Sequence, residues 1–143
     1  MMEFLLYLSP DLTGIYNMVS RKVRVVENTP VCRKYDIFGF YDSKTKILTM
    51  CTNKMKRNGD VEQNVKDTLL HESTHVAQSC KSGDGFLEDF GIDPSIMKLN
   101  YEREKALKTV VAFDYKLKKI DREAFWMEDK PDKVKYVIQK YCF

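Results

Sequence analysis

Cysteine pairs at redox or zinc-knuckle spacing are missing from this chain, histidine is almost missing, and no long apolar run occurs. Cys32, Cys51, Cys80 and Cys142 never fall as C-x-x-C, which excludes a cysteine-only zinc knuckle and a thioredoxin-like dithiol. Scattered in this way they read as buried free thiols, although an exported protein could join Cys80 to Cys142. No stretch approaches the roughly 20 apolar residues that span a bilayer, so no membrane span is expected. The apolar run Phe4–Leu8 is short, follows Glu3 rather than basic residues, and is closed by Ser9-Pro10. It does not resemble a secretory leader, and a cytoplasmic location is expected. An excess of one charge is missing too. The 24 basic and 21 acidic residues leave only +3, too balanced for a nucleic-acid footprint, and Lys54, Lys56 and Arg57 read as the solvated side chains of a loop.

What is present suffices for a folded core. With 143 residues and a 43% hydrophobic share, residues 1–143 read as a single domain without repeats or low-complexity tracts. Ser9-Pro10 opens a first helix over Pro10–Ser20, because serine can accept an orphan N–H and proline tolerates the first helical position. Val23–Val26 reads as a strand. Ile37–Tyr41 and Lys46–Cys51, joined by the turn residues Asp42-Ser43-Lys44-Thr45, read as an antiparallel β-hairpin. Thr52–Asp60 is polar and glycine-broken, hence an exposed connection. A second helix is expected over Val61–Cys80, ending before Ser82-Gly83-Asp84-Gly85. Ala106, Val110, Phe113, Leu117, Ile120, Ala124 and Met127 alternate spacings of four and three, which predicts one long helix over Ser95–Glu128. Val134, Val137, Ile138 and Tyr141 mark a short final helix. The fold class is therefore α+β, mostly helical, with a small antiparallel hairpin.

The chemistry concentrates in Leu70-His71-Glu72-Ser73-Thr74-His75-Val76, an H-E-x-x-H motif inside the second helix. Histidines four apart lie above one another on one helical face, where both imidazoles can meet one tetrahedral zinc ion. Glu72 lies about 100° around the helix from His71, beside the metal rather than aimed at it, where it can take the proton of an activated water. The chain has only 2 histidines and both belong to this motif. A third ligand must therefore be a carboxylate or, less favourably, a cysteine. Glu123, beside Ala124 and Ile120 on the long apolar stripe, is the first choice, and Glu102 is its rival. On one continuous helix the two would stand about 30 Å apart, so only one could serve. Glu104 points away from both and reads as solvated.

This arrangement resembles the gluzincin class of zinc metallopeptidases, in particular its minimal single-domain members from bacteria and phages. There a β-hairpin precedes the H-E-x-x-H helix, and a later helix supplies a glutamate ligand often followed by alanine. The match covers about Ile37–Glu128 and rests on His71-Glu72-Ser73-Thr74-His75 and on Glu123-Ala124. The resemblance implies a zincin-like fold with His71, His75 and Glu123 holding zinc and Glu72 as general base. It also implies a peptide or protein substrate, and leaves room for a phage-encoded or virion-associated role. No further histidine is present to steady a tetrahedral intermediate, and Tyr115, Arg122 or Tyr136 could supply that electrophile, although each more often serves as a surface or core side chain. The second hairpin strand, Ile47–Cys51, could align an extended peptide by main-chain hydrogen bonds. The alternative is a zinc-stabilised structural or binding protein that has the fold without turnover.

Overall fold

The computed structural model describes residues 1–110 and 116–143. A short 3-10 turn, Glu3–Tyr7, leads into α1 (Pro10–Ser20), and the following elements are β1 (Arg24–Glu27), α2 (Val31–Lys34), β2 (Gly39–Asp42), β3 (Ile47–Met50) and α3 (Thr52–Lys56). Then come α4 (Val61–Ser82), α5 (Tyr101–Val110), α6 (Lys116–Met127) and α7 (Pro131–Cys142). The class is α+β, as the patterning indicates.

α4 is the hub. Asp60 caps its start by accepting from the Gln63 N–H, and Gly83 ends it in the left-handed conformation at φ 76°. From Thr68 to Ser79 all but one of its residues, His71, are buried, because α1, α6, α7 and the sheet each cover part of its circumference. Val65, Leu69, Leu70, Val76 and Ala77 join Leu12, Ile15, Val19, Leu48 and Ile138 in one core.

The sheet is ordered β1-β3-β2. β2 and β3 form the expected antiparallel hairpin, whereas β1 adds to β3 in parallel. β3 thus lies in the middle with both edges occupied, and it has no free edge for a peptide. β1 and β2 are the edge strands. The Cys51 N–H donates to the Phe38 carbonyl, and in the register Phe40 faces Thr49. By antiparallel alternation the backbone groups of Gly39 and Tyr41 therefore point away from β3.

Three expectations need correction. Thr52–Lys56 is not simply an exposed connection but the helix α3, and it buries Met55 completely. The single long helix is two helices folded against each other. Arg122 Nη1 stands 2.8 Å from Glu104 Oε1, whereas 18 residues of one helix would separate them by about 27 Å. α5 starts at Tyr101 because Asn100 caps it, its side chain accepting from the Arg103 N–H. Phe113 and Tyr115 lie outside the described residues. Lastly, the cysteines are paired rather than free, as Cys32–Cys51 and Cys80–Cys142. The second pair joins the end of α4 to the end of α7.

Among its described residues α5 buries only Leu107, and charged groups do much of the rest. Arg103 faces Glu128 and Asp129, and Glu104 pairs with Arg122, whose guanidinium holds its carboxyl below the usual carboxylate range. No helix is long and apolar enough to cross a membrane among the described residues.

Candidate metal centre

One helical turn brings the His71 and His75 rings to a centroid distance of 5.0 Å on the cleft-facing side of α4. α6 lies across this side and presents Asp121. Donor atoms of His71, His75 and Asp121 all fall within 4.8 Å of one another, in a largely buried group that could hold a metal ion. His75 Nε2 and Asp121 Oδ1 are 3.4 Å apart, about the edge length of a tetrahedron with ~2.1 Å bonds.

The hydrogen bonds around the imidazoles support that fit. His71 Nδ1 lies 2.7 Å from Glu128 Oε2, and His75 Nδ1 lies 2.7 Å from Gln78 Oε1. Each ring has one nitrogen occupied by an acceptor, which leaves Nε2 for the ion. Glu128 is held in turn by Arg103, whose Nε donates to Oε1 at 3.1 Å. Burial by itself would depress the His75 pKa. The hydrogen bond and charge of Asp121, the charge of Glu72 and the hydrogen bond to Gln78 outweigh it and raise the value to about 9.

Glu123, the expected third ligand, is not in this group. Its side chain is 1% exposed and turns toward the loop after α4, where both carboxylate oxygens accept from the Phe90 N–H at 3.0 and 2.8 Å. Gln78 Nε2 donates to it as well, at 2.9 Å. Burial raises its pKa, against the pull of these donors. Glu102 is exposed on the cleft rim and also stays outside the group. The residue that α6 supplies is Asp121, four positions after Leu117 and three before Ala124, so it sits on the apolar stripe itself. A carboxylate at a stripe position is the signal that marks it in the sequence, whereas Glu123 stands beside the stripe.

His71, His75 and Asp121 line a cleft of about 930 Å³ together with Glu72 and residues Gly39, Phe40 and Tyr41 of β2. Glu72 is buried and lines the same cleft as the two histidines. β2 approaches α4 so closely that a β-carbon on Gly39 would stand 2.4 Å from Thr68 Cγ2 and 3.4 Å from Glu72 Cγ. Only glycine permits that contact. Of the suggested electrophiles, Arg122 is bound to Glu104 and the Met97 carbonyl, and Tyr136 is 60% exposed on α7, where it lines a separate pocket. Arg103, which no sequence motif marks, lines the cleft instead.

A family model described as Domain of unknown function (DUF8637) matches residues 4–143, and the chain belongs to that family. No curated protein and no solved structure matches the chain.

Proposed function

We propose that this member of the DUF8637 family is a zinc-dependent peptidase, with His71, His75 and Asp121 as the metal ligands and Glu72 as general base. The observation that carries the reading is the convergence of two imidazoles, each with Nδ1 on an acceptor, and one carboxylate in a cleft that Glu72 also lines. Zinc held there would supply Lewis acidity, making water a nucleophile near neutral pH and polarising a carbonyl oxygen. Glu72 accepts the proton of the attacking water and passes it to the leaving amine. The free groups of Gly39 and Tyr41 on β2 hold an extended peptide in place. The likeness to gluzincins then extends to the H-E-x-x-H half of the site and not to the downstream ligand.

The competing reading is a metal-stabilised protein without turnover. It is favoured by the commitment of Arg103 and Arg122 to carboxylates, which leaves neither free to steady an oxyanion. The two disulfides support an oxidising compartment rather than the cytoplasm.

Cleavage of an unfolded protein by the zinc-loaded chain decides between the readings. Activity is expected to vanish with chelator and to fall about 10²–10⁴-fold in Glu72→Gln, which still binds one zinc. Asp121→Asn is expected to lose the metal. Equal cleavage by Glu72→Gln and wild type would remove Glu72 from the reaction, and no cleavage by well-metallated wild type would favour the silent protein.

A further inference from the structure

A histidine that gives one ring nitrogen to a metal must keep that nitrogen bare, so in the neutral ring the other nitrogen carries the hydrogen. For His71 this follows directly, because Glu128 beside Nδ1 is a carboxylate and can only accept when ionised. His75 is different. Its Nδ1 faces a primary amide, Gln78, which offers an oxygen or an NH2 depending on a 180° turn of the group. With the NH2 toward Nδ1, the hydrogen would move to Nε2 and block the nitrogen that faces Asp121. Some other group must fix the amide.

Two acceptors do so. Gln78 is fully buried, and its Nε2 lies between the Ile120 carbonyl at 3.0 Å and Glu123 Oε1 at 2.9 Å. Turning the amide over would set its oxygen against both of these oxygens and leave its NH2 without either acceptor, a costly outcome in a buried site. Glu123 is itself aimed by the Phe90 N–H, which meets both of its oxygens. One helix, α6, thereby addresses His75 from both sides. Asp121 faces Nε2, while Ile120 and Glu123 reach Nδ1 through Gln78.

We propose that Glu123, acting through Gln78, is a positioning residue that holds His75 as the Nδ1–H tautomer and so keeps Nε2 available to the metal. This rests on the reading of His71, His75 and Asp121 as ligands, and it gives Glu123 a task other than ligation. A plain structural role is the alternative, since the same carboxylate ties the Phe90 loop to α6.

Four proteins separate these roles: wild type, Glu123→Gln, Glu123→Leu and Gln78→Leu. Zinc affinity is measured by competition with a chromophoric chelator, and the His75 tautomer by ¹⁵N NMR of the metal-free protein at a pH where the ring is neutral. Gln78→Leu removes the acceptor and is expected to weaken zinc binding about 10–100-fold. Glu123→Leu is expected to weaken it by about tenfold or more and to mix the His75 tautomers. Glu123→Gln keeps an acceptor for Gln78 and should stay within a few-fold of wild type. Equal, severe losses in Glu123→Gln and Glu123→Leu would make Glu123 a ligand and overturn the proposal. A lower melting temperature in Glu123→Leu with unchanged affinity and tautomer would reduce Glu123 to a loop anchor. If Glu123→Leu fails to fold, an unchanged affinity in Gln78→Leu overturns the proposal in its place. Should wild type bind no zinc, the ligand reading fails, and the tautomer alone judges the positioning claim. A neutral His75 carrying its hydrogen on Nε2 would refute it.

Discussion

If zinc binds as proposed, the raised pKa of His75 makes opposite demands on the metal-free and metal-bound protein, and pH separates them. An unfolded histidine titrates near 6.5, whereas the folded one holds its proton to about 9. A group whose folded pKa is raised contributes stability that is complete below the unfolded value and is lost as pH climbs through the folded one. The metal-free protein should therefore lose roughly 3 kcal/mol between pH 6.5 and about 9, since raising a pKa by one is worth about 1.4 kcal/mol. Zinc bound as proposed would have to displace that same proton from Nε2, so its apparent affinity should rise about tenfold per pH unit well below pH 9 and level off as pH passes about 9. Calorimetric titration at pH 7.5 in two buffers of different ionisation heat should register close to one proton released from His75 per zinc bound. Thermal melts of chelator-treated protein across the window supply the other half. Proton release near zero, or a metal-free protein that grows more stable from pH 6.5 to 9, would refute the charge arrangement around His75.

Gly39→Ala is expected to cost about 1–3 kcal/mol by forcing β2 off Thr68, and to lower peptide cleavage because the same displacement disturbs Glu72. Denaturant melts and turnover of the variant check both, and an unperturbed protein would mean that the strand yields without cost. Loss of the Cys80–Cys142 bridge, which spans 62 residues, should destabilise more than loss of Cys32–Cys51, which spans 19, by about 4 against about 3 kcal/mol on loop entropy. Denaturation of the two Cys→Ser pairs ranks them, and the reverse order would contradict the entropic account. The described charged groups lining the cleft, besides the histidines, are six carboxylates and Arg103, although the chain as a whole carries +3. Peptides with lysine or arginine near the scissile bond should show about tenfold higher kcat/KM than matched acidic ones at low salt, and a preference for acidic peptides would count against this cleft as the binding site.

The parts of this molecule that sequence discloses are those fixed by short-range geometry. The facing of His71 and His75 follows from one helical turn, the ends of α4 from Asp60 and Gly83, and the β2–β3 hairpin from its turn residues. The rest depends on how distant segments meet. Nothing between Ala106 and Met127 is a glycine or proline, so the folding-back of α5 on α6 leaves no local mark, and it is the Arg122–Glu104 pair that reveals it. Asp121 and Glu123 are both acidic, both buried and two positions apart. The position of Asp121 on the apolar stripe favours it, but the rotation of α6 against α4 that brings it to the histidines is set by packing. The parallel addition of β1 and the pairing of Cys32 with Cys51 likewise express tertiary proximity, the two cysteine Cα atoms lying 5.5 Å apart.

The attachment of α5 makes one wall of the cleft answer to ionic strength while the hub answers to temperature. With a single described apolar anchor, Leu107, the helix leans on guanidinium–carboxylate pairs at Arg103 and Arg122, and the more exposed members of these pairs, Asp129 and Glu104, are the ones that dissolved salt screens. Amides of α5 should exchange with solvent faster as salt rises, while those of α4 stay protected. A brine-loosened panel beside an intact spine would let the mouth of the cleft widen without His71, His75 and Asp121 moving apart.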